Sequence, residues 1–175
     1  AELPLDHERL DADPWLLNVQ NGVINLRTGQ LRPHRSEDFM TKICQIPFDP
    51  HAKCEMFLIF IDKIFDRDED LIRFVQKAVG YSLTGCVEEQ IFFLLYGTGA
   101  NGKSTLVEVL ASALGDYAAT APPSLLMAKK QEAHPTELAD LFRKRFVITS
   151  EVKADSKFDE ERIKALTGGD TIKAR

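Results

Sequence analysis

Ile91-Phe92-Phe93-Leu94-Leu95-Tyr96-Gly97-Thr98-Gly99-Ala100-Asn101-Gly102-Lys103-Ser104-Thr105 is the stretch on which the reading of this chain turns. Residues 91–96 are continuously apolar and run straight into a glycine turn, as a strand buried on both faces of a parallel sheet would. Residues 97–104 fit the spacing GxxxxGK[ST], and residues 104–114 then put Leu106, Val109, Leu110 and Leu114 on one helical face. The order is strand, glycine turn, helix. In a Walker A loop of this kind the glycines let successive backbone N–H groups point into one concavity around a phosphate, and the following helix adds its positive end. Gly97, Thr98, Gly99, Ala100, Asn101, Gly102, Lys103, Ser104 and Thr105 are therefore the candidate nucleotide-binding residues. Lys103 is placed to reach the β and γ phosphates and Ser104 to ligate Mg²⁺.

Such a loop works with a carboxylate at the end of a neighbouring strand, which holds the metal or orients the attacking water. Phe146-Val147-Ile148-Thr149 is a second apolar strand, and Glu151 is the only acid at its end. Glu151 is the candidate Walker B acid, either as the base that polarises water or as a metal ligand through water. Between the two strands, residues 118–132 with Pro122-Pro123 read mostly as loop and residues 136–143 as helix.

Upstream, Trp15-Leu16-Leu17 and Val23-Ile24-Asn25-Leu26 flank Asn21-Gly22, a strong hairpin signal because both turn residues tolerate positive φ. After the turn Pro47-Phe48-Asp49-Pro50, the residues Phe57, Phe60, Ile61, Ile64 and Phe65 recur at helical spacing. A second helix is expected from the acidic run 66–70, with Leu71, Phe74, Val75 and Val79 on its inward face.

The chain has 175 residues, 22 basic against 27 acidic, and a net charge of −5, which excludes a highly basic nucleic-acid-binding arm as its main identity. The cations are nevertheless uneven: residues 1–128 hold 11 basic and 18 acidic side chains, residues 129–175 hold 11 and 9. A polyanion would meet the C-terminal side first. Cys44, Cys54 and Cys86 form no CxxC pair, which fits a reducing compartment better than a disulfide framework. His7, His34, His51 and His134 lack metal-ligand spacing, and no apolar run approaches the roughly 18 residues of a spanning helix. Beginning at Ala1 and ending at Arg175, the chain reads as a piece of a longer one.

With GTGANGKST in hand, the later runs Glu137-Leu138-Ala139-Asp140-Leu141 and Lys164-Ala165-Leu166-Thr167-Gly168-Gly169-Asp170-Thr171-Ile172-Lys173-Ala174-Arg175 take on a pattern. The chain resembles the superfamily 3 helicase domain of phage and plasmid primases, a domain related to poxvirus primase-helicases. Residues 18–88, with Asn18-Val19-Gln20-Asn21-Gly22-Val23 and Val79-Gly80-Tyr81-Ser82-Leu83-Thr84-Gly85, resemble the small helical domain that precedes it. The resemblance implies an α/β fold with a P-loop NTPase core of the AAA-like, additional-strand type, incomplete at its C-terminus. It implies three segments: a β-hairpin and turn region over 1–50, a small helical domain over 51–88, and the first part of the helicase domain over 89–175.

The function so implied is ATP-dependent unwinding of DNA in replication, by a ring, usually a hexamer, that moves along single-stranded DNA. ATP and Mg²⁺ are the implied cofactors, Lys103 and Ser104 their ligands, and Glu151 the support for hydrolysis. Lys164, Lys173 and Arg175 become candidate DNA phosphate contacts. A cytoplasmic location in a bacterial host, encoded by phage, prophage or plasmid, follows from the same likeness, and no membrane is implied. The family's sensor asparagine and arginine finger would lie beyond Arg175, so this chain by itself is expected to bind nucleotide weakly and not to unwind DNA. Two other classes stay open. A P-loop phosphotransferase or nucleotide kinase would want an arginine-bearing lid, and residues 117–135 contain no arginine. A non-catalytic nucleic-acid-binding or ring-assembly module would tolerate loss of Lys103, Ser104 and Glu151, which are intact.

Overall fold

Residues 7–128, 138–150 and 157–169 are described by the computed structural model of the chain. Its first unit is a three-stranded antiparallel sheet. Strands β1 (Leu16–Val19) and β2 (Gly22–Asn25) pair with Val19 opposite Gly22, and β3 (Gln30–Arg32) pairs with the other edge of β2. The two-residue turn is thus Gln20-Asn21, one position earlier than the Asn-Gly signal suggested, and Gly22 opens β2. That glycine is needed for a close approach, since a Cβ there would run into the Arg32 carbonyl of β3.

Helix α1 (Glu55–Ile64) turns its expected stripe inward: Ile61 is buried and Phe57, Phe60, Ile64 and the following Phe65 are half-buried, while Met56, Leu58 and Ile59 face out. Helix α2 (Glu69–Leu83) starts at Asp68, whose carboxylate accepts the Leu71 N–H at 3.0 Å, with Glu69 and Asp70 in the favourable first turn. Its inward face differs from the sequence expectation. Apolar residues at 71, 72, 74, 75, 78 and 79 cover a wide arc, and the packing chooses Ile72, Val75, Ala78 and Val79. Leu71 and Phe74 are left exposed, with Phe74 meeting Phe93 edge-on at 6.4 Å between ring centroids.

Residues 91–96 form no strand, against the sequence reading. All six side chains are exposed, from 38% at Phe93 to 88% at Tyr96. A strand buried on both faces needs ladder partners and covering layers, and no described strand pairs with this run. Apolar content alone therefore does not make it regular.

Helix α3 (Lys103–Leu114) buries Leu106 and Leu114, keeps Leu110 half-buried and leaves Val109 exposed. Directly after it, β4 (Ala118–Ala121) runs parallel to β5 (Phe146–Thr149), with Ala118 opposite Phe146 and Ala121 opposite Thr149. Strand β4 lies where loop was expected. Ala-Ala-Thr-Ala has no apolar alternation to announce it, and the strand exists because β5 supplies the ladder. Residues 138–143 close into tight turns through Leu141 N–H to the Leu138 carbonyl and Phe142 N–H to the Ala139 carbonyl, and residues 136–137 lie outside the described residues. Helix α4 (Glu160–Thr167) is capped by Asp159, which accepts the Arg162 N–H at 3.0 Å.

The core joins these parts. Leu17, Val19, Ile24, Cys44, Leu114 and Tyr117 are buried together, with Leu26, Phe48, Leu83, Ala118 and Phe146 packed around them. The Leu, Val, Ile and Phe side chains among them contribute roughly 1.5–3 kcal/mol each where fully buried. The N-terminal sheet consequently sits on the end of α3 and the starts of β4 and β5, rather than standing apart. Backbone bonds stitch the same seam: Asp116 N–H to the Ile43 carbonyl at 3.1 Å and Gly85 N–H to the Pro14 carbonyl at 3.0 Å. Nearby, burial pushes the Asp11 carboxyl up, but the Thr41 hydroxyl and N–H, the Lys42 N–H and the Lys42 ammonium more than offset it and hold it below the usual range.

Candidate functional site

Gly97, Ala100 and Gly102 take φ of +148°, +58° and +84°, so the chain turns sharply three times before α3 begins. Gly102 is the N-cap of that helix and offers no side-chain cap to its first turn. The Gly102 carbonyl already accepts the Leu106 N–H at 2.9 Å. A Cβ at Gly102 would lie 2.5 Å from Ile64 Cγ2 and 3.2 Å from Phe60 Cε2, so the inward stripe of α1 presses directly on the loop. Glycine is required at that position by the positive φ and by this contact together.

The Lys103 side chain folds back over the loop. Its ammonium donates to the Gly97 carbonyl at 3.1 Å, the Thr98 carbonyl at 3.3 Å and Asn101 Oδ1 at 2.8 Å. Ser104 and Thr105 stand exposed on the first turn of α3. A helix N-terminus whose N-cap residue supplies no side-chain cap, preceded by a loop that curls round a cation, can hold an anion. Thr105 also edges an open groove of about 420 Å³ on the flank of α3, shared with Ile46, Glu108, Val109, Ser112 and Ala113.

The structure brings residues 97–105 together. Strand β5 ends at Thr149, and Glu151 lies outside the described residues. Lys164 is exposed on α4, while Lys173 and Arg175 lie outside the described residues. Among the described residues no helix is long and apolar enough to cross a membrane. The three cysteines are free thiols, Cys44 buried, Cys54 exposed and Cys86 between.

Sequence reasoning did not single out Arg145, which precedes β5. Its guanidinium donates to the Leu16 carbonyl at 2.7 Å, the Leu83 carbonyl at 2.8 Å and the Asp13 carbonyl at 3.3 Å, and lies 4.7 Å from the centre of the Tyr117 ring. Burial pushes Arg145 below the ordinary guanidinium range, partly countered by Tyr117 and Asp11. Tyr117 in turn accepts the Asn18 N–H at 3.1 Å, and burial pushes its phenol up to about 12. One arginine thus pins β1, the end of α2 and the strand that leads to Glu151. The only sequence hint was a cation set directly against an apolar strand.

Two family models match the chain. Residues 1–66 match the family described as D5 N terminal like, and residues 95–175 match DUF5906, a family of unknown function. Among curated relatives, "Putative helicase L207/L206" of Acanthamoeba polyphaga mimivirus is 31% identical over 171 residues, covering 95% of this chain and 18% of that protein. "Putative primase C962R" of African swine fever virus (isolate Warthog/Namibia/Wart80/1980) is 30% identical over 132 residues, with 72% of this chain and 14% of that one covered. "Putative helicase 184R" of Invertebrate iridescent virus 6 is 27% identical over 178 residues, covering 97% and 18%. The chain spans less than a fifth of the length of these relatives, and all three come from viruses rather than from phages or plasmids by name.

Proposed function

We propose that the chain, matched by the D5 N-terminal-like family over residues 1–66 and by DUF5906 over residues 95–175, belongs to the primase-helicase family and forms the nucleotide-binding part of an ATP-dependent, superfamily 3 DNA helicase acting in replication. The observation that carries this reading is the 97–103 loop. It wraps a lysine ammonium at the mouth of a helix whose first turn has no side-chain cap, which is the electrostatic arrangement a triphosphate requires. In this reading Gly97, Thr98, Gly99, Ala100, Asn101 and Gly102 cradle the phosphates, Lys103 neutralises the β and γ oxygens, Ser104 is assigned to Mg²⁺, and Thr105 is assigned to the nucleotide with them. Bound ATP and Mg²⁺ supply the scissile phosphoanhydride and its counter-charge.

Glu151 follows β5 by two residues and is assigned to activating water or holding the metal through water. The parallel β4–β5 pair, with α3 leading into β4, supports a P-loop core of the additional-strand type. The relatives' names support a helicase or primase role. Single-stranded DNA as partner and a homo-oligomeric ring, a hexamer, as the working form belong to the proposal. Lys164, Lys173 and Arg175 are assigned to DNA phosphates.

Binding of a fluorescent ATP analogue with Mg²⁺, measured for this chain and for a longer protein carrying it, tests the nucleotide assignment. Lys103→Ala should weaken binding at least tenfold, the loss of one charge-assisted contact of about 1.5–3 kcal/mol. Steady-state hydrolysis by the longer protein should rise with single-stranded DNA and vanish in Glu151→Gln. A folded longer protein that hydrolyses ATP with no response to DNA would make it a phosphotransferase, and one that binds no nucleotide at all would refute the site.

A further inference from the structure

An ammonium group has three N–H donors, and the loop meets Lys103 with three acceptors: the carbonyls of Gly97 and Thr98, and Asn101 Oδ1. The shortest of these, at 2.8 Å, goes to the single side-chain acceptor of the set. The same asparagine occupies the inside of the loop at its other end. A Cβ built on Gly97 meets Asn101 Nδ2 before any other group, so the amide lies across the entrance glycine. Oxygen toward the lysine and nitrogen toward Gly97, Asn101 closes the loop on itself.

We propose that Asn101 is a positioning residue for Lys103, a latch that keeps the ammonium folded into the loop until a phosphate replaces it as acceptor. This rests on reading 97–104 as a phosphate loop. A phosphate oxygen carries negative charge, whereas the amide and the two carbonyls are neutral, so the anion wins the ammonium when it arrives. Lys103 then turns from the rim toward the ligand, and the amide leaves the space over Gly97. The latch lowers apparent affinity by the fraction of time it is closed. Alanine at 101 removes the acceptor. Aspartate tightens the latch by adding a charge that also repels phosphate.

Two readouts separate the latch from the nucleotide reading. The first needs no nucleotide: the rate at which an amine-acylating reagent labels Lys103 at one fixed pH, followed by peptide mass spectrometry, with the other lysines as internal reference. Asn101→Ala should label about threefold faster than the unaltered chain, the tenfold of a full charged hydrogen bond reduced by solvent exposure of the loop. Asn101→Asp should label more slowly by a similar factor. Opposite shifts in two folded variants are not what a general loosening of the loop gives. Labelling unchanged in both variants, or faster in both, overturns the latch, and if only one variant folds, by circular dichroism, its direction alone decides. The second readout is protection of Lys103 by Mg-ATP in the longer protein carrying the unaltered chain. Failure of protection sinks the phosphate-loop assignment, whereas failure of the Asn101 shifts sinks the latch alone. Where both hold, Asn101→Ala should bind the nucleotide about threefold more tightly.

Discussion

Replacing Arg145 should unfasten the N-terminal sheet from the α3–β4–β5 unit. The guanidinium makes two short bonds, 2.7 Å to the Leu16 carbonyl and 2.8 Å to the Leu83 carbonyl, besides a longer one to Asp13 and the contact with Tyr117. Bonds from a charged donor contribute about 1.5–3 kcal/mol each, and truncation leaves the carbonyls unpaired. No carboxylate forms an ion pair with Arg145 among the described residues, so relief of guanidinium desolvation returns part of the loss. The net expectation for Arg145→Ala is a loss of about 3 kcal/mol. At roughly 2–4 °C per kcal/mol for a chain of this size, the midpoint falls by about 6–12 °C. Arg145→Lys should recover less than half, because an ammonium cannot reach two diverging carbonyls with a planar fork. Urea and thermal unfolding followed by circular dichroism measure the loss. Trp15, the single tryptophan, neighbours Leu16 and reports whether the sheet separates first. A loss under about 1 kcal/mol in Arg145→Ala, or full recovery by lysine, would refute the clasp.

Two further expectations concern stability. Gly102→Ala places a Cβ 2.5 Å from Ile64 Cγ2 at φ +84°, and should lower the unfolding free energy by about 2 kcal/mol or more; an unchanged melting midpoint would mean that α1 does not press on the loop. Burial pushes the Cys44 thiol up from 9.0 to about 11, so between those values the unfolded chain has lost a proton that the folded chain keeps. Stability should therefore fall as pH rises from about 9 to 11, and Cys44→Ala should remove that part of the alkaline slope in urea titrations, leaving a later fall from Tyr117.

The sharp turn from residue 97 into helix α3 was legible from sequence because it depends on local chemistry: Gly97 and Gly102 where φ is positive, a lysine directly after Gly102, and a helix beginning at once. The hairpin and both helices of the 51–88 segment were legible for the same reason, since turn residues and 3.6-residue periodicity act over short distances. Tertiary structure alone decided the rest. Strand β4 carries no pattern of its own and forms because β5 lies beside it, while residues 91–96, strand-like in composition, stay irregular where no described strand pairs with them. Leu71 and Phe74 point outward because α2 had two apolar stripes to choose between. Arg145, Tyr117 and Asn18 meet from distant parts of the chain, and Asn101 reaches both Lys103 and Gly97 only once the loop has closed. Which residues bend the chain is written locally; which of its apolar and charged groups find partners depends on neighbours that only folding brings within reach.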